Sequence, residues 1–257
     1  MLSGDLLDYI VLGFAAFLAG VVDAVIGGGG MVQLPALFIV YPQAIPAALL
    51  GTNKLSAAVG TAGAALQYAR SVSAPSSIII PTAAAAFVTA VIGAYAILLL
   101  PTEPLRKALP FILVALLAYT LNNRMGLEHR PHYKPGEEIP IAVAGSSAIG
   151  FYDGFFGAGT GAFYKLLFVR GLGYDFINAA APAKITNVAS NLGAVLVFVL
   201  AGQMLWDVAA AMAIANFCGG QVGSRIAIRY GSGFIRTAFI VVVSLLILRT
   251  FYDAYLR

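Results

Sequence analysis

The chain has 257 residues, of which 60% are hydrophobic and 10% are charged. Soluble domains carry about 25% charged residues, so the composition excludes an ordinary soluble domain and indicates a protein that lies in a lipid bilayer. The formal net charge of +4 is small, and basic residues lie near segment ends rather than among aromatic residues on one face. Nucleic acid is therefore not expected as a partner.

Apolar runs cover most of the chain, and most of them are long enough to span a bilayer, which takes about 20 helical residues. The runs lie at residues 6–26, 46–69, 76–100, 104–121, 139–157, 180–201, 205–228 and 234–256, the second being punctuated by polar residues. They do not alternate between apolar and polar residues as the strands of a membrane barrel would. The pattern predicts an all-α polytopic membrane protein.

The first run is expected to remain as a membrane helix. Its leader carries Asp5 and Asp8 where a cleaved signal peptide would have basic residues. The run ends in "VVDAVIGGGGMVQLP", residues 21–35, with four consecutive glycines. The segment that follows, residues 31–40, would form about 15 Å of helix, which reaches only halfway across a bilayer. We expect a re-entrant or broken helix there, lined by protein or by a water-filled cavity.

The two halves of the chain align with each other without a gap when Asp23 is placed on Asp153. The same register brings Lys54 onto Lys184, and Arg106 onto Arg236. Asp, Lys and Arg are rare in this chain, so chance does not account for these matches. The sequence predicts two homologous repeats at 1–121 and 139–257, joined by the polar linker 122–138. Each repeat would contain about four spanning helices and a short re-entrant or broken helix. Whether the repeats are parallel or inverted stays open.

The glycine-rich stretches "GGGGMVQLP" and "GAGTGAFYK" occupy matching places in the two halves. A glycine-rich turn at a helix start exposes backbone N–H groups at the positive end of the helix dipole, which favours an anion. The candidate residues are Gly28, Gly29, Gly30, Gly159, Thr160 and Gly161. The alternative is close helix packing, which the G-x-x-x-G pairs Gly150/Gly154, Gly157/Gly161 and Gly219/Gly223 would serve.

Lys54 and Lys184 each lie near the start of a long apolar segment. An ammonium group in hydrocarbon costs roughly 2.5 to 3.5 kcal/mol on insertion scales, so both lysines need partners. They could bind substrate, extend to the interface, or pair with Asp23 and Asp153, which precede Lys54 and Lys184 by the same separation in sequence.

Polar residues accompany these lysines. They are Thr52, Asn53, Asn187, Ser190 and Asn191. Together with the lysines they would supply more donors than fixed negative charges, which suits a small, multiply oxygenated anion. Individually, such residues also serve as contacts between membrane helices. If a proton is coupled to transport, Asp23 and Asp153 are its candidate carriers.

Catalysis and metal binding are not expected, and no cofactor is predicted. His129 and His132 lie in the linker without a third ligand of matching type, and Cys218 is a single cysteine. The chain contains neither H-E-x-x-H nor G-x-S-x-G. A membrane scaffold, in which the charged residues serve only as ion pairs, remains an alternative to a transporter.

At these motifs the chain resembles the sulfite exporter TauE/SafE family, also called the TSUP family of membrane permeases. The resemblance rests on "GVVDAVIGGGGMVQLPAL" and "GTNKLSAAVGTAGAALQY" in the first half, and on "GFYDGFFGAGTGAFY", "AKITNVASNLGAVLVF" and "QVGSRIAI" in the second. It implies an inner-membrane permease for sulfite, sulfoacetate or other organosulfonates, usually acting in export. The anion, the direction, proton coupling and a homodimer all stay open, and Thr160 in place of Gly30 argues against an exactly two-fold site.

Overall fold

The structure is a computed structural model. It describes residues 5–70, 75–101, 107–108, 110–115, 118, 132–134, 136–230 and 233–255. Within these residues the chain is helical and contains no β-strand, which confirms the all-α class. Arg106, His129 and most of the linker lie outside the described residues, so the predictions made for them stay predictions.

Four helices are described in the first half. They are α1 (Leu6–Val25), α2 (Gly30–Val40), α3 (Pro46–Ala69) and α4 (Ser76–Leu98). Residues 110–115 of the next apolar run are also helical. The second half contains α5 (Ile139–Phe155), α6 (Thr160–Leu166), α7 (Phe176–Leu200), α8 (Trp206–Tyr230) and α9 (Gly233–Tyr255). A π-helical turn, Leu167–Gly171, extends α6.

Local sequence explains where several helices begin. Asp8 accepts a hydrogen bond from the backbone N–H of Asp5 at 3.3 Å, so the acidic leader closes the first turn of α1. Pro46 opens α3, where the missing N–H of proline removes no helical hydrogen bond. The short helix α2 has 11 residues despite Pro35 in its interior.

Three of the described helices are long and apolar enough to cross a membrane by length and composition. They are Leu6–Val25, Ser76–Leu98 and Asn178–Leu200. Helices α3 and α8 are as long, with 24 and 25 residues, but carry more polar residues. Helix α5 has 17 residues. The chain is therefore a helical, membrane-embedded protein whose polar helices lie among apolar ones.

The helices pack in pairs that join the two halves. Helix α1 packs against α8, α4 against α5, and α3 against α7; α8 also contacts α3, and α4 contacts α7. Gly150 and Gly154 of α5 lie against the backbone of α4, and Gly219 and Gly223 of α8 lie against the backbone of α1. A Cβ atom at any of these four positions would lie under 3.0 Å from its neighbour. Close packing between helices is thus confirmed for these two G-x-x-x-G pairs. At Gly157 and Gly161, the third pair, a Cβ atom would also lie under 3.0 Å from a neighbour.

Candidate functional site

The interior of the protein contains two interruptions of helix, which we call the first break (residues 26–29) and the second break (residues 156–159). The first break touches the segment that follows the second, because the carbonyl of Gly27 accepts a hydrogen bond from the backbone N–H of Ala162 at 2.8 Å. Gly27 and Gly157 have φ angles of 94° and 80°, in the left-handed region that favours glycine. A Cβ atom on Gly27 would also overlap the backbone of Gly161. The glycines thus allow two broken backbones to meet.

A small polar pocket with a cavity volume of about 20 Å³ lies beside the two breaks. Backbone from both breaks and from the starts of α2 and α6 forms part of its lining. Five carboxamide side chains also line it, namely Gln33, Asn53, Asn187, Asn191 and Asn216. A small pocket with convergent polar groups suits a small hydrophilic ligand.

The pocket brings together most of the residues selected from the sequence. It is lined by Asp23, Gly29, Gly30, Asn53, Asp153, Gly159, Thr160, Gly161, Asn187 and Asn191. The other selected residues, Gly28, Thr52, Lys54, Lys184 and Ser190, are not part of the lining. The two lysines therefore lie behind the pocket wall, and their direct contact with a substrate stays a prediction.

Both lysines form ion pairs, and the pairs cross between the halves. Lys54 Nζ lies 2.6 Å from Asp153 Oδ1, and Lys184 Nζ lies 2.6 Å from Asp23 Oδ2. The predicted pairing of the lysines with Asp23 and Asp153 is confirmed. Each lysine meets the aspartate of the opposite half, and not that of its own half as the equal separations in sequence suggested. Extension to the interface is also wrong, since both lysine side chains are 1% exposed.

Hydroxyl groups complete the surroundings of the aspartates. Ser190 Oγ donates to Asp153 Oδ2 at 2.6 Å, and Thr61 Oγ1 donates to Asp23 Oδ2 at 3.0 Å. Thr52 Oγ1 instead accepts from the backbone N–H of Leu205 at 3.0 Å, which fixes the turn before α8. Ser190 and Thr52 thus form hydrogen bonds within the protein and do not line the pocket.

The hydrogen bonds fix the orientation of one asparagine pair. Asn191 Nδ2 donates to the backbone oxygen of Asn187 at 2.7 Å and to Asn187 Oδ1 at 3.0 Å. Asn187 therefore keeps its own Nδ2 as a donor. No hydrogen bond between described residues uses the side-chain nitrogens of Gln33, Asn53 or Asn187. These residues are buried, so their amides are groups that a ligand in the pocket could satisfy.

Backbone donors at the starts of α2 and α6 add to this set. Within the part of the chain that the structure describes, no hydrogen bond uses the backbone N–H groups of Gly29, Gly30, Thr160 or Gly161. All four residues line the pocket. Helix α2 begins here, so the positive end of its dipole lies at the pocket. These donors can bind several oxygen atoms of one small anion.

Sequence reasoning missed Gln33, Thr61, Asn216 and a third buried lysine, Lys165. Lys165 lies on α6, is fully buried, and donates from Nζ to the backbone oxygen of Val25 at 2.7 Å. The register that aligns the halves places Lys165 opposite Pro35, so a search for repeated residues passes over it. The cost of a lysine in an apolar segment was the available signal.

No group of three or more His, Cys, Asp or Glu side chains that could hold a metal ion occurs among the described residues. Three lysines and two aspartates lie around the breaks.

The chain is similar to known membrane proteins over nearly its whole length. A family model described as "Sulfite exporter TauE/SafE" matches residues 12–250. The "Probable membrane transporter protein YfcA" of Escherichia coli K12 is 34% identical over 246 residues, covering 95% of this chain and 90% of that protein.

Two further relatives are comparably similar. The "Probable membrane transporter protein ORF9" of a Sinorhizobium species is 37% identical, covering 93% of this chain and 90% of the relative. A "Probable membrane transporter protein" of Haemophilus influenzae is 33% identical, covering 95% and 94%. No solved structure matches the chain. The resemblance drawn from the sequence motifs is confirmed.

Proposed function

Because the chain belongs to the sulfite exporter TauE/SafE family, we propose that it is a permease for small sulfur-containing anions in the inner membrane. Sulfite, sulfoacetate and other organosulfonates are the proposed substrates, and export is the proposed direction. The pocket beside the two breaks is the proposed binding site. The alternative is a permease for another small oxyanion or carboxylate, including one that works in uptake.

The hydrogen-bond donors of the pocket carry this proposal. Amide nitrogens of Gln33, Asn53 and Asn187 and backbone N–H groups at two helix starts have no partner among the described residues. Donors that line a pocket without a protein partner are available to a ligand. An anion with several oxygen atoms would satisfy these donors together, whereas a cation would satisfy none of them.

Acceptors of the same pocket narrow the kind of anion. The side-chain oxygens of Gln33, Asn53 and Asn216 are also buried without a partner among the described residues. An anion that carries a hydroxyl or amino group besides its charged oxygens would donate to them. Bisulfite has such a group, and sulfate at neutral pH does not.

The charges around the pocket also favour an anion. Asp23 and Asp153 line it, but each carboxylate is paired with a lysine at 2.6 Å. Lys165 brings a third ammonium group to the same region. Lys54 and Lys184 would thus act through the ion pairs and through the electric field, while the amides and backbone make direct contact with the anion.

We also propose that the halves 1–121 and 139–257 are structural repeats, joined by the linker 122–138, and that they move against each other in alternating access. Helices α2 and α6 begin at Gly30 and Thr160, which are equivalent positions when the halves are aligned. The contacts of α1 with α8 and of α5 with α4 are related by the same register. The two crossed ion pairs are also related by this register. Sites between repeats are common in secondary transporters.

Export of an anion needs no further energy source when the membrane potential is negative inside. The potential favours its exit by about 2.3 kcal/mol per charge per 100 mV. If a proton is coupled, Asp23 is its first candidate, because its side chain is 13% exposed while that of Asp153 is 1% exposed. Multi-pass insertion and a homodimer belong to the same proposal.

Counterflow in proteoliposomes tests the substrate class. Vesicles are loaded with sulfite, thiosulfate, sulfoacetate, taurine, sulfate or, as a small carboxylate, acetate. Each is assayed for exchange with the labelled form of the same anion. We expect saturable counterflow with at least one anion that bears a sulfur oxygen group. Counterflow with a small carboxylate alone would support the alternative, and absence of counterflow with every anion would contradict an anion permease.

Variants test the site itself. We expect Asn187→Ala to raise the half-saturating concentration about tenfold, since a hydrogen bond to a charged group is worth about 1.5 to 3 kcal/mol. The matched control is Asn178→Ala, because Asn178 pairs with Asp175 and is not part of the pocket lining. Equal effects of the two substitutions would remove Asn187 from the site.

A further inference from the structure

The C-terminal end of α1 lies inside the protein, where water cannot satisfy its last carbonyl groups. The carbonyl of Val22 accepts from the backbone N–H groups of Ile26 and Gly27 at 2.8 and 3.3 Å. The carbonyls of the next three residues, 23 to 25, lack such backbone donors among the described residues. The end of a helix carries a partial negative charge of about half a unit, so this end attracts positive charge.

Side chains from three other helices occupy these carbonyls. Lys184 Nζ donates to the backbone oxygen of Asp23, and Tyr68 Oη donates to that of Ala24 at 3.0 Å. Lys165 Nζ donates to that of Val25 at 2.7 Å and lies 5.9 Å from the centre of the Tyr68 ring. The ammonium group of Lys165 is thus held by a carbonyl oxygen and an aromatic face in a fully buried position.

A metal cation would also fit these surroundings. Carbonyl oxygens at the ends of broken helices bind Na⁺ in several transporter folds. Here Asp23 supplies a carboxylate and residues 23 to 25 supply the carbonyls, and ammonium groups stand at both ends of this row.

We propose that Lys165 is a resident cation, which fills at the end of α1 the place that a coupling Na⁺ would take. The consequence is that the protein needs no Na⁺ to keep the first break formed. Removal of the side chain should leave a cavity with a carbonyl lining and a negative helix end, into which a small cation fits.

The test measures thermal unfolding of purified protein in detergent, in choline chloride, sodium chloride or methylammonium chloride at equal ionic strength. We expect the unfolding temperature of the wild-type chain to be the same in all three salts. Lys165→Ala should unfold about 10 °C lower in choline and recover at least half of this loss in methylammonium or sodium. No selective recovery would overturn the proposal, as would a wild-type chain that sodium stabilises equally.

Two further variants keep the test decisive if Lys165→Ala cannot be purified. Lys165→Arg retains the charge, and Lys165→Met retains the length without charge. We expect the arginine variant to be clearly more stable than the methionine variant, and equal stability would overturn the proposal. Because these measurements do not involve flux, they stand even if the proposed anion transport fails. If counterflow succeeds, replacement of external Na⁺ by choline should leave it unchanged.

Discussion

At the first break, side chains from α3, α6 and α7 reach the carbonyl groups of residues 23 to 25. At the second break, the donors come from the neighbouring ends of the same interrupted segment. Tyr152 donates to Ala158 at 2.8 Å, and Thr160 donates to Gly157 at 2.9 Å. The helix end before the first break is therefore held by distant parts of the chain, while carbonyl groups within the second break are bonded to neighbouring residues. Similar glycine patterns are thus stabilised by different kinds of contact.

Replacement of the glycines gives the largest contrast between the breaks. We expect Gly27→Ala to lower the free energy of unfolding by at least about 4 kcal/mol, because its Cβ would meet rigid backbone at a positive φ. Gly157→Ala should cost less, because the nearest backbone atom, the oxygen of Asp153, would lie 2.7 Å from its Cβ, whereas the backbone of Gly161 would lie 2.2 Å from that of Gly27. The Nζ of Lys54 would also have to move. Thermal unfolding in detergent measures both.

The control is Gly202→Ala, which has a positive φ of 66° but open space around its Cβ. This variant should lose only about 1 kcal/mol from backbone strain. If Gly27→Ala and Gly202→Ala were equally stable, the close approach of the two breaks would be refuted.

The ion pairs give the next largest effect. Lys54→Met leaves Asp153 charged and buried without its partner, so we expect a loss of about 3 to 4 kcal/mol. Lys184→Met should cost less, because the side chain of Asp23 is more exposed than that of Asp153. Chemical or thermal unfolding of both variants gives the order.

A double variant distinguishes loss of the pair from loss of the lysine alone. Lys54→Met with Asp153→Leu should recover most of the stability, because no buried charge is left unpaired. A double variant less stable than either single variant would contradict the pairing.

Removal of the hydroxyl group that donates to Asp153 should cost more stability than removal of the one that donates to Asp23, as for the two lysines. Ser190→Ala removes a hydrogen bond of 2.6 Å to a fully buried carboxylate, and we expect a loss of about 2 kcal/mol. Thr61→Val removes one of 3.0 Å to the more exposed Asp23, and about 1 kcal/mol is expected. The difference in unfolding temperature between the two variants is the readout. A larger loss of stability for Thr61→Val than for Ser190→Ala would contradict this expected order.

The smallest effect is expected at Tyr68. Tyr68→Phe removes only the hydroxyl that donates to Ala24, so the loss should be about 1 kcal/mol. Tyr95→Phe, at a side chain that is 61% exposed, is the matched control and should leave the unfolding temperature unchanged. A neutral Tyr68→Phe variant would show that the first break does not need this donor.

The sequence predicted the helical class and the positions of the breaks because both follow from local composition. Long apolar runs can only be helices in a bilayer, and consecutive glycines interrupt them. The helix bounds agree to within a few residues in most cases. The apolar run at 180–201 begins too late, since α7 already starts at Phe176 with the polar Asn178 in its first turn.

The ion pairs could be predicted from the sequence only in part. That Lys54 and Lys184 need partners follows from the cost of a buried ammonium group. Which aspartate each lysine meets depends on how the halves pack, and both choices preserve the repeat. Residues without a charged counterpart in the other half were passed over for a related reason. Lys165 matches Pro35, and Asn216 matches Ala86.

The crossed pairing has a consequence for how the chain enters the membrane during synthesis. Asp23 and Lys54 are translated long before Lys184 and Asp153, the residues that neutralise them in the finished protein. During synthesis, the first half of the chain therefore enters the membrane before the partners of these two charged residues have been made. A nascent chain arrested before position 153 should stay bound to the insertion machinery or its chaperones, and release should coincide with emergence of the later segments.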